Sequence, residues 1–515
     1  MESLIKSQSV KWAIAITVSF AAILELIDTS IVNVALTDMQ GSLGATLSEI
    51  GWVVTGYSIA NVIVIPLTAW LSDFFGRKGY FIFSLVGFTL ASVLCGFAVN
   101  LPMLIASRIL QGLCGGGLLA KAQSILFETF PKEEQGLAQA LFGIGVIVGP
   151  VIGPTLGGFL TDSLGWRSIF FINIPFGLLA VTMAWLFLPQ SKERKITPVD
   201  WSGIALLTLG VGTLQTVLEE GQQDDWFSSP LIVTLAILAI TGSIAFVWRE
   251  LKTRHPAVDL KVLRHKTLAA GSLYSLILGM GLYGAAFAIP IFAQTVLHYS
   301  AAQTGLLMFP GAIASALMMP ILGKLSGKVD PRLLITFGAV IAAGAMAPLA
   351  SINPDTSAET MFWPLVIRNI GTSFMFMSLS LATIGPVPRA DIPAATGFYN
   401  LMRQLGGSMG VALLTCFLSQ REAFHRAVLS ASMNNFNPAF SERLHSLTAS
   451  FLAKSVDPTL AQTQALALLN NALNTQSALL SFEDIFLVVG VLFIATLPLL
   501  LFLGKPEGKI ELTAH

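Results

Sequence analysis

The sequence predicts an all-α membrane protein with fourteen transmembrane helices. Three observations predict it. Of the 515 residues 54% are apolar and only 11% are charged, against roughly 25% charged in soluble domains. Mean hydropathy is +0.74. The length is taken up by repeated apolar runs of about twenty residues, the helix length that crosses a bilayer. Formal net charge is zero, so nothing argues for nucleic acid. Cys95, Cys114 and Cys416 all fall inside apolar runs and read as small packing residues, not disulfides or ligands. The six histidines all lie in connections or at the terminus, which removes a histidine proton relay and an intramembrane metal cluster. The first apolar run is too long for a cleaved signal and holds two acids.

In order, the runs lie at about 12–36, 50–71, 80–99, 102–127, 136–161, 167–188, 201–219, 230–249, 268–293, 303–323, 333–351, 361–383, 394–418 and 485–503. An even number returns both termini to one side, and charge chooses the side. With the N-terminus inside, the cytoplasmic connections carry 20 Lys+Arg and the opposite side 5. The remaining four, Arg108, Lys121, Arg368 and Arg403, lie inside spans. Connections 189–199 and 250–267 are basic. Connection 220–229 is acidic, with Glu219, Glu220, Asp224 and Asp225 at its edge. One sizeable polar segment, 420–484, lies outside between spans 13 and 14. Leu466, Leu469, Leu473 and Leu480 form a helical stripe within it.

Span 1 holds the most informative pair. Asp28 sits near its middle and Glu25 one turn before, so the two carboxylates share a helix face. A charge at bilayer depth costs a few kcal/mol or more and is kept only for a partner, a wet cavity or a task. Desolvation disfavours a charged carboxylate and so eases proton uptake. Span 1 therefore reads as a place where a proton is handled.

An internal repeat follows. The turn after span 2 reads Ser72-Asp73-Phe74-Phe75-Gly76-Arg77-Lys78, and the turn after span 10, Gly323 to Arg332, is a degenerate copy. Arg108 is followed by Gln111-Gly112 in span 4, and Arg368 by Asn369 and Gly371 in span 12. Span 5 is glycine-rich, and span 13 carries Gly406-Gly407-Ser408-Met409-Gly410. Spans 1–6 thus resemble spans 9–14. This divides the chain into a six-helix bundle at 1–190, an inserted pair (spans 7 and 8) with basic linkers at 191–267, and a second six-helix bundle at 268–515 that includes 420–484. Duplicated halves around a midplane site mark secondary transporters.

Four stretches carry a family resemblance: Leu26 to Leu36, Asp73 to Lys78, Gly145 to Gly158 (GVIVGPVIGPTLGG) and Trp166 to Gly177. The chain resembles the fourteen-helix EmrB/QacA-type drug:proton antiporters of the major facilitator superfamily. Ala69 stands where the superfamily's 2–3 loop pattern usually opens with glycine. Glu25 and Lys121 are charges at positions where that pattern does not expect them. The resemblance implies the major facilitator fold, with no cofactor beyond the proton motive force. It also implies proton-coupled multidrug efflux and antibiotic resistance, and location in a bacterial inner membrane with both termini cytoplasmic. A periplasmic adaptor protein and an outer-membrane channel are its implied partners.

The motifs also have physical readings. Asp73 faces Arg77 across one turn beside Gly76, either as a latch made and broken as the halves rock or as an ordinary positive-inside anchor. Gly145, Gly149, Gly153 and Gly157 recur every four residues and form a smooth seam for another helix, while Pro150 and Pro154 permit a bend. Arg108 is expected to answer Asp28 and Glu25, as a partner that comes and goes or as a static ion pair. Arg403 and Arg368 have no evident acid nearby; backbone carbonyls, an anionic substrate group and the first-half acids all remain open as partners. Lys121 reads as a cavity charge or as a side chain snorkelling to the edge.

The function expected is export of hydrophobic or amphipathic compounds driven by proton influx, not catalysis. A pump for one endogenous metabolite, such as a siderophore or fatty acid, is the alternative. A membrane-embedded lipid enzyme would need a clustered nucleophile and base, and the sequence offers none. There is no Walker-type loop for ATP. On these grounds Asp28→Asn is expected to fold near normally, since it removes a buried charge, and to abolish uphill efflux.

Overall fold

The computed structural model describes residues 8–190, 198–353, 356–434, 436–454 and 457–503. Most of the basic connection 189–199 and both termini lie outside the described residues. Within them the chain is helical without a strand, as a chain in lipid must be if its backbone polar groups are to be satisfied internally.

Fourteen helical stretches are long and apolar enough to cross a membrane. Spans 1 to 7 are Gln8–Leu43, Glu49–Phe75, Arg77–Gly96, Leu101–Thr129, Gln135–Leu164, Ser168–Phe187 and Trp201–Glu220. Spans 8 to 14 are Pro230–Lys252, Lys266–Thr295, Gln303–Leu325, Pro331–Leu349, Glu359–Ile384, Ile392–Ser430 and Pro458–Phe502. The side on which span 1 begins is called proximal below, the other distal. Polar residues at the boundaries cap the helices. Thr46 with Glu49 and Ser300 with Gln303 form capping boxes, and Asn100, Asp200 and Ser357 accept from the first turn of spans 4, 7 and 12. Each cap satisfies N–H groups that a helix start leaves unpaired.

Several spans are interrupted. Span 2 tightens to a 3-10 turn at Ile65–Leu67. Span 4 breaks between Gly115 and Leu118, and span 7 carries a π segment at Thr208–Gly212. Span 5 stays one helix through Pro150 and Pro154.

Packing follows the internal repeat. Span 1 lies along span 5, and span 9 lies along span 13 in the same way. Spans 2 and 4 pair, as do 10 and 12; spans 3 and 6 pair, as do 11 and 14. The two sets of six meet where span 5 packs on span 10 and span 2 on span 13. The inserted spans 7 and 8 pack on each other, and span 7 also touches spans 2 and 13. Span 8 turns Leu231, Ile237, Ile240, Ile244 and Trp248 outward, the apolar surface a lipid-facing helix presents.

The polar segment 420–484 is largely helical, as its leucine stripe suggested for its second half. Span 13 continues as helix to Ser430 and the helix of span 14 begins at Pro458, with a short helix, Pro438–Leu452, between them. These pieces pack into a distal cap. A groove of about 680 Å³ runs across the cap, lined by Arg426, Met433, Phe440, Leu466 and Leu473 among others. Two members of the leucine stripe therefore face this groove and not a closed core.

Candidate functional site

Asp28 and Arg108 are both 0% exposed. Arg108 Nη1 lies 2.7 Å from Asp28 Oδ2. The other carboxylate oxygen accepts from Gln111 Nε2 at 2.9 Å and from Asn173 Nδ2 at 2.5 Å. Arg108 is itself oriented from three sides. Its Nε donates to Val53 O at 3.1 Å, its Nη1 also reaches Gln111 Oε1 at 2.7 Å, and its guanidinium stacks 4.2 Å above the Tyr57 ring. Asn173 is fixed in turn by Ser92, whose hydroxyl donates to Phe170 O. Spans 1, 2, 3, 4 and 6 thus converge on one ion pair.

Glu25 does not join this pair. Its Oε1 accepts from Asn61 Nδ2 at 2.9 Å and its Oε2 from the backbone N–H of Leu119 at 3.0 Å. The break in span 4 makes the second bond possible. Gly115-Gly116-Gly117 ends one helix, and Leu119 stands in the first turn of the next, where N–H groups have no intrahelical acceptor. The positive end of that helix also favours an anion. Gly116 of this break and Gly112 one turn before it let span 2 come close: a Cβ on Gly112 would lie 2.6 Å from Tyr57 O, and one on Gly116 2.6 Å from Asn61 Cα.

Arg403, in span 13, is 1% exposed. It donates to Asn400 Oδ1 at 2.7 Å, faces the Phe376 ring at 5.2 Å, and leaves Nε and Nη1 without a hydrogen-bond partner. Glu25 is within its electrostatic reach across the boundary between the halves. Asn400 Nδ2 donates to Gln123 Oε1 at 2.6 Å, and Gln123 and Gln139 both donate to Ser380 Oγ at 2.8 Å. This amide and hydroxyl network joins spans 4 and 5 to spans 12 and 13 in the proximal third of the protein. Arg368 lies apart from it, 6% exposed, donating to Asn369 Oδ1 with its Nε unpaired.

At the proximal end of the first half, Gly76 has φ +76° between two helices, a conformation that glycine adopts without cost. Arg77 pairs with Glu128 at the end of span 4, a carboxylate partner that the reading of Asp73 opposite Arg77 had not included. Lys121 is 2% exposed. Its ammonium bonds Ser72 Oγ and lies 5.9 Å from the Tyr80 ring, so it reaches toward the proximal end through protein and not through lipid.

The glycine seam of span 5 has a defined partner, span 1. Added Cβ atoms on Gly145, Gly149, Gly153 and Gly157 would meet Ile23, Leu26, Ser30 and Ile31. The seam thus backs the helix that carries Glu25 and Asp28. Gly406 and Gly410 do the same for span 9, against Leu276 and Met280. Span 7 runs one residue beyond its expected end: Glu220, assigned to connection 220–229, completes the helix and is 5% exposed.

A family model described as Major Facilitator Superfamily matches residues 18–411. The multidrug export protein EmrB of Haemophilus influenzae is 33% identical over 498 residues, covering 96% of each chain. The chain belongs to the major facilitator superfamily, in its EmrB-type branch. The fatty acid resistance protein FarB of Neisseria gonorrhoeae is 32% identical, covering 98% of this chain and 97% of that one. Among solved structures, the human organic anion transporter TETRAN superposes with a TM-score of 0.59 at 13% identity, over 94% of this chain and 99% of that one. This EmrB-type protein is therefore a multi-pass membrane transporter of small molecules and not an enzyme.

In this EmrB-type chain the structure brings together Asp28 and Arg108, with Glu25 beside them and Arg403 opposite. It leaves Arg368 and Lys121 elsewhere. Reading the sequence missed Asn61, Gln123, Asn400 and the Leu119 amide. The signal for the last was present in the run Gly115-Gly116-Gly117, three poor helix formers within an apolar span.

Proposed function

We propose that the protein is a proton-driven exporter of hydrophobic and amphipathic compounds, resident in a bacterial inner membrane with both termini cytoplasmic. The Lys and Arg excess on one set of connections favours that orientation. The observation that carries the proton coupling is the fully buried Asp28 held by Arg108, Gln111 and Asn173. When Asp28 is ionised it neutralises Arg108 and ties span 1 to spans 4 and 6. A proton on Asp28 cancels that charge and frees the guanidinium, which keeps Val53 O and Gln111 Oε1 as acceptors. Glu25 acts in parallel, since its charge holds span 1 to Asn61 of span 2 and to the second helix of span 4. Each proton taken up therefore loosens bonds between helices whose contacts must change if the halves rock. Aromatic and thioether side chains suit a cavity that accepts varied shapes.

The test uses purified protein in liposomes. Substrate should release protons from the wild type and drive uphill exchange; Asp28→Asn should do neither. If Asp28→Asn pumps while Glu25→Gln does not, Glu25 is the main carrier. Normal pumping by both variants would remove proton handling from span 1.

We also propose a periplasmic adaptor and an outer-membrane channel as partners. The distal cap and its apolar groove support this reading, because transport across one bilayer does not need them. Replacing residues 430–478 with a short Gly/Ser linker should spare transport in liposomes but lower whole-cell resistance and abolish adaptor pull-down. Retained pull-down would move docking to other distal loops. A second reading, export of a single fatty acid or siderophore, is favoured by the similarity to FarB. Resistance across a broad substrate panel would exclude it.

A further inference from the structure

The inserted pair carries two acids that the scheme above does not use. Glu219 Oε1 accepts from Gln215 Nε2 at 2.6 Å, and the same carboxylate lies beside Thr55 and Ser58 of span 2. Glu220 also lies beside Thr55, and its Oε1 is buried without a partner. Among the described residues neither carboxylate has a basic group within salt-bridge distance. The groups facing them add no positive charge. Span 2 offers Thr55 and Ser58, span 13 offers Ser408, and the distal turn adds a further acid, Asp224. Span 8 keeps its charges at the far end, on Arg249, Glu250 and Lys252.

Gln215 shows what is missing. It is 0% exposed, and its Nε2 donates both to Glu219 and to Ser408 Oγ, each at 2.6 Å. Its Oε1 is a buried acceptor with no donor. A buried polar atom left unpaired costs about 1–3 kcal/mol. The carboxylates lack a counter-charge, and the amide oxygen lacks a hydrogen. A proton on Glu219 neutralises the anion and, once the Gln215 amide has rotated to exchange nitrogen for oxygen, provides an O–H from which Oε1 accepts.

We propose that Glu219, with Gln215 as its reader, is a second proton-binding station, built by the inserted helices and linked to the second half through Ser408. With Glu219 ionised, the Gln215 amide points its nitrogen at the carboxylate and at span 13. With Glu219 protonated, the amide turns its oxygen to the new O–H, and the Ser408 hydroxyl, which had accepted from Nε2, must turn to donate to that oxygen. One O–H bond forms on the Glu219 carboxylate as one breaks in a solvent hydronium ion, and no other covalent bond changes. Span 2 lies between the two stations, offering Val53 O and Tyr57 to the Asp28 pair and Thr55 and Ser58 to Glu219.

This proposal rests on proton-driven export as its setting but can be tested apart from it. The first readout is the infrared carboxyl stretch of the purified full chain, titrated with pH. Glu219→Gln should delete one protonation step that Asp28→Asn retains. The second is the proton-to-substrate ratio in proteoliposomes, from the gradient that just halts transport. Glu219→Gln should lower it by about one, and Ser408→Ala should keep the infrared step while uncoupling it from transport. If wild type moves no protons with substrate, proton-driven export fails, yet a Glu219-dependent infrared step still supports the station. An infrared titration of Glu219→Gln identical to wild type overturns the proposal.

Discussion

Replacing Asp28 by Asn changes one charge and almost no volume. From the sequence alone it reads as benign, since a buried charge disappears. The ion pair reverses that sign. Arg108 is 0% exposed, and the other nearby carboxylate, Glu25, is already held by Asn61 and Leu119. Removing one member of a buried pair costs about 3–5 kcal/mol, because the other charge is left uncompensated. The amide adds a second fault. Arg108, Gln111 and Asn173 all donate to Asp28, so an Asn there must turn its own NH₂ toward at least one donor. We expect the full range of that cost. The double variant Asp28→Asn/Arg108→Gln removes both charges and should recover most of it, to within about 1–2 kcal/mol of a hydrogen-bond defect. The assay is recovery of folded protein after heating in detergent, read beside substrate-induced proton release. The single variant should melt first. The double variant should regain stability but not proton release. A single variant as stable as wild type would refute the buried pair as the structure draws it.

Three further outcomes follow. Gly149→Ala places a Cβ 2.9 Å from Leu26 Cβ and should cost about 1–3 kcal/mol as overpacking, with slowed transport. Gly158→Ala, whose Cβ meets nothing nearer than Val34 Cγ1 at 3.8 Å, should be neutral; equal effects of the two in thermal melts and flux would sink the seam. Asn61→Ala strips one donor from buried Glu25, a loss of about 1–3 kcal/mol, and should shift the pH profile of transport more than Ile240→Ala on the lipid face of span 8 does. Burial works against the Asp200 charge, but the Arg249 side chain and the Gly203 N–H outweigh it and hold this carboxyl below its usual range. Its contribution is present above pH 3.8 and lost as pH falls through the lower folded value, so Asp200→Asn should destabilise near neutrality and converge with wild type only in stronger acid.

The sequence disclosed much of this architecture because lipid imposes simple rules. Apolar runs gave the spans, and repeated glycines and arginines gave the two halves. Asp28 and Arg108 were legible together because a deep acid and a deep base each need a partner. Glu25 was legible as unusual, but its partners were not. One is a backbone N–H exposed by a glycine break, and the other is an Asn that looks like any polar residue in span 2. Glu220 was placed just outside span 7, beside an acidic loop; only the packing of span 7 on spans 2 and 13 shows that it is buried. The leucine stripe marked a helix in the distal cap, but its continuity with spans 13 and 14 was not legible. The cap helices are polar outward, so they lack the apolar signal that marks a span, yet they are continuous with spans 13 and 14.

The proximal network of Gln123, Gln139, Ser380 and Asn400 closes the boundary between the halves with amides and a hydroxyl. Separating such groups moves dipoles, not net charge, through the membrane field. A full charge crossing that field gains or loses about 2.3 kcal/mol per 100 mV, whereas a neutral seal feels little of it. Membrane voltage therefore has small purchase on the seal itself and acts through the loading of the carboxylates. Flux through this protein should be steeply voltage-dependent when a charged form of span 1 must move, and nearly indifferent to voltage when it is neutral.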